Sequence, residues 1–265
     1  MSTFKILDGA MGSELIRWGM ELPEHIWSAA ANLTNPELVL KIHREYVDAG
    51  ADYITANTFR TTPRAFGKLD SLVAGFVEVN KKDAVLNSRN SLFTAVELAK
   101  EAASNSVKVL GSIASLEDCY SPELFPGKNT AITEFRQLGG WLSDAGVDIL
   151  LLETMNSIAE AEAGLIALQS FELPIWVSFV MKDDEHLLSG DLLLDALTLL
   201  QDHSVNTVLL NCNPLQRTEK AMILLTENWT GKWGIYPNLG IGEPSPNGRI
   251  TKYESMEKFT ALMEK

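Results

Sequence analysis

Phe4-Lys5-Ile6-Leu7-Asp8-Gly9-Ala10-Met11-Gly12 is a short apolar run that ends in an acid and a glycine-containing turn, and the fold hangs on how that turn is read. An open dinucleotide-binding sheet carries Gly-x-Gly-x-x-Gly after its first strand, where the glycines let the backbone approach a pyrophosphate. Gly9 and Gly12 do not have that spacing. Of the two parallel α/β architectures, the barrel is therefore favoured over the open doubly wound sheet.

The parallel sheet follows from the rest of the chain. Seven apolar runs have strand character: Phe4 to Leu7, Tyr53 to Ala56, Val107 to Leu110, Ile149 to Leu152, Ile175 to Val180, Val208 to Leu210 and Trp233 to Tyr236. Amphipathic stretches separate them, as in Pro36 to Ala49, where Leu38, Leu40, Ile42, Tyr46 and Val47 form an apolar stripe behind an Asn35 cap and Pro36 in the first turn. Near-continuous apolar strands alternating with helices need crossover connections and cover on both faces, which is the pattern of a parallel sheet. Asp48-Ala49-Gly50-Ala51-Asp52 and Asp144-Ala145-Gly146-Val147-Asp148 repeat one device, a glycine that stops a helix just before a strand. Gly67 to Ser106 is long enough for two helices, Val77 to Leu92 and Thr94 to Ala103. Ser115 to Thr130 is the longest stretch without helical patterning, a lid, a binding loop or a floppy connection.

A chain of 265 residues with 46% hydrophobic and 22% charged residues suits one barrel domain spanning 1–265. Its 22 Lys and Arg against 35 Asp and Glu leave a net charge of −13, which repels phosphate backbones and anionic membrane surfaces and favours small-molecule partners. No apolar run reaches the roughly 18 residues that a membrane span needs, and Met1 to Asp8 lacks a secretory pattern. Two cysteines, Cys119 and Cys212, make no disulfide framework and fit a reducing, cytoplasmic compartment.

Chemistry in a barrel sits where strands end. The strand ends here carry Asp8-Gly9-Ala10-Met11-Gly12, Asn57-Thr58, Gly111-Ser112, Glu153-Thr154, Ser178, Asn211-Cys212-Asn213 and Pro237-Asn238. Asp8 and Glu153 suit the ammonium group of an amino acid, and the backbone N–H groups of Gly9 to Gly12 suit its carboxylate; Asp8 would serve equally as a turn cap. Cys212 is a soft metal ligand, a nucleophile or simply a small buried hydrophobe. His25, His43, His186 and His203 show no metal-ligand spacing; His43 and His203 fall on helices, while His25 and His186 fall in loops after strands. Trp27 lies in the first βα region, where it can line a pocket.

Leu7-Asp8-Gly9-Ala10-Met11-Gly12-Ser13-Glu14-Leu15 resembles the start of the homocysteine S-methyltransferase family. Trp27-Ser28-Ala29, Asn35-Pro36-Glu37, Ala49-Gly50-Ala51-Asp52, Thr55-Ala56-Asn57-Thr58-Phe59, Gly111-Ser112-Ile113, Glu153-Thr154, Ser178-Phe179, Asn211-Cys212 and Tyr236-Pro237-Asn238 follow in the family's order. The resemblance implies a (β/α)8 TIM barrel that passes a methyl group from a sulfonium donor such as S-methylmethionine to the thiol of homocysteine. It assigns substrate binding to Asp8, Gly9, Ala10, Met11, Asn57, Thr58 and Glu153, with Asp8 and Glu153 on the homocysteine amino group. It also implies a zinc ion held by a cysteine after the sixth strand, here Cys212, and by a Gly-Gly-Cys-Cys pair after the eighth. Zinc holds a substrate sulfur as thiolate at neutral pH.

The ending departs from that pattern. After Asn238 come a Gly/Pro/Asn-rich stretch, Gly240 to Gly248, and one helical pattern, Tyr253 to Met263. Strand eight and the cysteine pair are absent from these residues, which leaves the zinc site incomplete and a seam for a partner such as a second copy to cover. Two further readings stand beside the methyltransferase: a zinc-free homologue that binds an amino acid without turnover, and an unrelated barrel lyase or hydrolase. The last is disfavoured because no lysine or histidine closes a strand.

Overall fold

The computed structural model describes residues 4–69, 83–104, 106–241 and 252–263. Its elements run α1 (Met11–Arg17), α2 (Ala29–Thr34), α3 (Pro36–Asp48), β1 (Tyr53–Ala56), α4 (Pro63–Gly67), α5 (Ala84–Ala103), β2 (Lys108–Ala114), α6 (Lys128–Ala145), β3 (Ile149–Met155), α7 (Ile158–Leu168), β4 (Ile175–Phe179), α8 (Leu193–Asp202), β5 (Thr207–Pro214), α9 (Leu215–Asn228), β6 (Lys232–Asn238) and α10 (Met256–Met263). The six strands form one parallel sheet in sequence order. Each crossover helix returns the chain to the next edge, as right-handed βαβ units require.

The first expected strand is reduced to a single parallel bridge, Leu7 to Tyr53. Phe4 and Ile6 are 83% and 56% exposed on this outer edge, so little apolar burial is available to extend the pairing. The segment is nevertheless held in strand position. Asp52 and Tyr53 donate backbone N–H groups to the Ile6 carbonyl at 2.8 and 3.1 Å, Asp8 N–H donates to the Tyr53 carbonyl at 3.0 Å, and Asp52 accepts from the Ile6 N–H and the Lys5 ammonium. The same clamp recurs at the next glycine-stopped helix, where Asp148 accepts from the Val109 N–H and the Lys108 ammonium. Gly50 and Gly146 both take positive φ, 100° and 81°, the left-handed stop that the repeated sequence predicts.

Alternate residues of each strand fall into two separate cores. Ile54, Val109, Leu150, Leu152, Val177, Val208 and Leu210 pack outward against the helices. Leu110, Leu151 and Leu209 pack inward with Leu7, Tyr53, Trp176 and Tyr236. The inward contacts show how strongly the sheet curls. At about 4.8 Å per strand, β1 and β4 would stand about 14 Å apart in a flat sheet, yet the Tyr53 and Trp176 rings meet edge to face with centroids 5.0 Å apart. Six strands and the Leu7 segment thus make an α/β half-barrel.

Two helix expectations need correction. Ala84–Ala103 is one 20-residue helix, not a break between Leu92 and Thr94, because Leu92, Ala95, Val96 and Ala99 continue one buried face; the part of the expected first helix from 77 to 82 lies outside the described residues. The last helix begins at Met256, not Tyr253, since Tyr253 bridges Gly240 in an antiparallel pair. Residues 242–248 of the expected Gly/Pro/Asn-rich loop also lie outside the described residues.

Candidate functional site

The period-two alternation that builds the inner core also builds a polar ring above it. Two positions beyond the inward-facing Tyr53, Leu110, Leu151, Trp176, Leu209 and Gly234, the inward side chains are Thr55, Ser112, Glu153, Ser178, Asn211 and Tyr236, and Asp8 joins them from the neighbouring segment. The register advances by two residues from Thr55 to Ser112 and again from Ser112 to Glu153, because Thr55 pairs with Leu110 and Ser112 with Leu151. Such stagger belongs to strands tilted in a barrel wall.

Asp8 accepts from the Thr55 N–H at 2.8 Å and the Thr55 hydroxyl at 3.1 Å. Burial of the carboxyl outweighs these bonds and the nearby Glu153 charge adds to it, so Asp8 is pushed up to about 8. Glu153 accepts from the Ser112 hydroxyl and, at 3.2 Å, from the Tyr236 hydroxyl. Burial also raises Glu153 above the usual carboxylate range, against those two bonds. The two acids therefore sit within electrostatic reach of each other, at the mouth of an apolar interior, and among the described residues no cation is bonded to either. This is a site poised for a cationic group.

Gly9 and Gly12 are set by close packing. A Cβ on Gly9 would come within 2.6 Å of the Tyr46 hydroxyl, and one on Gly12 within 2.5 Å of the Trp27 indole nitrogen. Ala10 stands at the N-cap of α1 without a side-chain cap bond, leaving first-turn N–H groups of Met11 and its neighbours open to an acceptor. Asn57 and Thr58 reach the same end of the sheet but spend their polar groups on the protein. The Asn57 amide donates to the Ser28 carbonyl and Asn32 Oδ1, both at 2.8 Å, and the Thr58 hydroxyl donates to the Ser112 carbonyl at 2.8 Å.

Cys212 directly follows Asn211 of this ring and lies within reach of the Glu153 charge. Its φ is 55°, and Thr154 across from it has φ 57°. Both fall where register shifts, between Leu152 and Met155 on β3 and between Asn211 and Pro214 on β5. Left-handed backbone is costly for a cysteine and more so for β-branched Thr, so these bulges are strained positions at the mouth of the barrel. Asn211 Nδ2 donates to Thr154 Oγ1 at 2.7 Å and to the Cys212 sulfur at 3.2 Å. Burial first, and then the Glu153 charge, push the Cys212 thiol up to about 11; Cys119 is likewise raised to about 12 by burial.

The Ser115 to Thr130 stretch is tied in place. Buried Glu160 accepts from the Leu116 N–H at 2.8 Å, Asn156 donates to the Cys119 carbonyl at 3.1 Å, and Arg60 donates to the Glu117 carbonyl at 2.7 Å. Arg64 joins Glu117 and Glu134. This ordering brings Tyr120 near enough to Cys212 for the two groups to influence each other electrostatically. Of the histidines, His43 is fully buried in α3 and lowered to about 4 by burial, and His186 pairs with Asp183 at 2.8 Å; neither joins the rim.

The sequence marks Ser178 and Asn211 as polar strand ends and carries Thr55 and Tyr236 in its motifs, but gives none of the four a role. Their signal is a polar side chain at an inward position of an otherwise apolar strand. Tyr120 has no comparable signal, since loop geometry places it.

A family profile described as homocysteine S-methyltransferase matches residues 5–265. The chain is 29% identical over 244 residues to the homocysteine S-methyltransferase YbgG of Bacillus subtilis (strain 168), and 30% identical over 249 residues to the homocysteine S-methyltransferase of Escherichia coli (strain K12). Each alignment covers 89% of this chain and 77% of the relative. The crystal structure of the homocysteine methyltransferase MmuM from Escherichia coli, in metallated form, superposes with a TM-score of 0.78 at 28% identity, covering 90% of this chain and 85% of that one.

Proposed function

This chain belongs to the homocysteine S-methyltransferase family, and from that premise we propose that it transfers a methyl group from a sulfonium donor, such as S-methylmethionine, to the sulfur of homocysteine. The observation that carries the reading is the pair of raised carboxyls, Asp8 and Glu153, facing the same mouth as Cys212. An α-ammonium group between them supplies the missing counter-charge, and the turn from Gly9 through Ala10 and Met11 receives the α-carboxylate. Asn57 and Thr58 act by holding the Ser28 loop and the Ser112 carbonyl in place. The methyl group moves by in-line displacement: the homocysteine thiol gives up its proton to solvent, the donor's C–S bond breaks as the homocysteine C–S bond forms, and the donor leaves as a neutral thioether. Holding both sulfurs on one line is where the rim contributes, since orientation alone is worth several kcal/mol.

The described residues do not fit a complete zinc centre. No group of three His, Cys, Asp or Glu side chains among them is arranged to hold a metal, and the 265 residues contain two cysteines where three thiolates are needed. Cys212 is the single ligand that matches the family's zinc site, and no step is routed through the metal.

We take residues 1–265 to act as one domain on a partial TIM barrel whose eighth strand is not among the described elements. No helix among the described residues is long and apolar enough to cross a membrane, and two unpaired cysteines suit a cytoplasmic setting. A second reading uses the same clamp without a metal: a zinc-free protein that binds the amino acid without turnover. Calorimetry with L-homocysteine and zinc, together with mass-spectrometric detection of methionine from S-methylmethionine and betaine donors, separates the two. Binding with methionine formation supports the transferase; binding without zinc uptake or product supports the binder. Failure to bind homocysteine rejects both.

A further inference from the structure

A chain of hydrogen bonds crosses the rim from the carboxylate side to the cysteine. Tyr236 Oη lies 3.2 Å from Glu153 Oε1 and 2.9 Å from Ser178 Oγ. Ser178 Oγ is bonded to Asn211 Oδ1, and Asn211 Nδ2 reaches Thr154 Oγ1 at 2.7 Å and the Cys212 sulfur at 3.2 Å. Ser178 and Asn211 are both fully buried, so bulk water does not serve as a substitute partner in the middle of the chain.

The hydrogens in this chain can be counted. Three contacts link Glu153 to Asn211 through Tyr236 and Ser178, but the two hydroxyls supply only two hydrogens. When Glu153 carries a proton, every contact is filled in one direction. Glu153 donates to Tyr236, Tyr236 to Ser178 and Ser178 to Asn211 Oδ1, and the amide N–H groups face Thr154 and Cys212. When Glu153 is held as a carboxylate, it accepts from Tyr236, which then accepts from Ser178. The third contact is filled only if the Asn211 amide turns and donates to Ser178. Its carbonyl oxygen then faces Thr154, whose hydroxyl becomes the donor, and Cys212. A buried contact left unfilled is costly enough to choose between two orientations of one amide.

We propose that Tyr236 and Ser178 are positioning residues that make the orientation of the Asn211 amide against Cys212 depend on what Glu153 holds. The inference rests on the amino-acid clamp proposed above. An ammonium group that keeps Glu153 ionised reverses the chain and presents an acceptor, in place of donors, to the sulfur. The charged and titratable groups facing Glu153 are Asp8, Cys212 and Tyr236; none of them is a cation that would already hold it ionised. Occupancy of one side of the rim is thereby signalled to the other without movement of the strands.

L-2-Aminobutyrate tests this, because it has the ammonium and carboxylate of the amino acid and no sulfur to touch Cys212. In nitrogen-15 labelled protein, the Asn211 side-chain amide pair, identified by its loss in Asn211→Asp, is followed during titration while calorimetry reports binding. The pair is expected to shift as aminobutyrate saturates the wild type. It should stay in place in Ser178→Ala and Tyr236→Phe although both still bind aminobutyrate. Ser178→Ala removes one small hydroxyl, so it carries the test alone if Tyr236→Phe does not fold. Binding with no shift in the wild type, or an equal shift in the variants, overturns the coupling and leaves the clamp standing. Absence of aminobutyrate binding overturns the clamp, and the coupling with it.

Discussion

The two sides of the rim are made by different means. Glu153 and its partners Ser112 and Tyr236 stand on paired strands, as does Thr55 beside Asp8, and each is placed by the alternation that puts Leu110, Leu151 and Leu209 beneath them. The side around Cys212 is made by breaks in that regularity: two bulges with positive φ at Thr154 and Cys212, and a loop tied down through Glu160 and Asn156. Recognition of a charged amino acid needs fixed carboxylates, which a regular sheet supplies. Presenting a sulfur in the open mouth needs a residue turned off the sheet's own directions, and a bulge does that at the cost of strain.

The largest expected effect separates the two sides by their jobs. Asp8→Asn and Glu153→Gln each remove a charge partner from a desolvated ion pair, so homocysteine affinity should fall about 30-fold or more in each case, given the 2–5 kcal/mol typical of such losses. Cys212→Ala should change the affinity for L-2-aminobutyrate far less than either substitution while abolishing any turnover. Calorimetry and the methionine assay read the two quantities separately. A Cys212→Ala variant that loses aminobutyrate binding as heavily as Asp8→Asn would erase the division of labour.

The next effect comes from pH. In the free protein Asp8 titrates near 8, so below that it holds a proton that an incoming ammonium must displace. Affinity for aminobutyrate should therefore rise by up to about tenfold per pH unit toward pH 8 and level off above it. Asp8→Asn should flatten that part of the profile. The stability of the free protein should run the other way: with the folded-state value raised above the unfolded one of 3.8, this group's contribution is full below about pH 4 and is lost as pH rises toward 8. A binding profile that does not change between pH 6 and 8 would show that Asp8 is already ionised and would remove the electrostatic half of the comparison.

The same division explains what could be read from the sequence. Asp8 and Glu153 were legible because each closes an apolar run, and strand ends are where barrels place chemistry. Gly50 and Gly146 marked helix stops correctly for the same local reason. Tyr236 and Ser178 lay in the correct motifs, but their inward direction depends on the curl of the sheet, which only the meeting of Tyr53 and Trp176 reveals. Leu7 was legible as strand-like, yet its pairing shrank to one bridge because pairing depends on what lies on the other side of it. The positive φ at Thr154 and Cys212 was not legible at all: no local rule puts a β-branched residue in a left-handed bulge, since the surrounding packing imposes it.

The smallest effect tests whether that strain belongs to the site. Ser204, exposed after α8, has φ 56°, almost the same as Thr154 at 57°. Glycine relieves such backbone at either position, by about 1 kcal/mol after its own entropic cost. At Ser204 nothing at the rim is touched, so Ser204→Gly should raise the melting temperature by about 2–4 °C with kinetics unchanged. At Thr154 the gain is offset by loss of the hydroxyl that accepts from Asn211 at 2.7 Å, a bond worth about 1 kcal/mol. Thr154→Gly should therefore melt within a degree or so of wild type while the Asn211 amide loosens and Cys212, losing a hydroxyl that favours its thiolate, reacts more slowly with iodoacetamide. If Thr154→Gly instead stabilises as much as Ser204→Gly and leaves Cys212 reactivity untouched, the bulge is an ordinary turn, and the contrast between a regular binding side and a strained reactive side loses its physical basis.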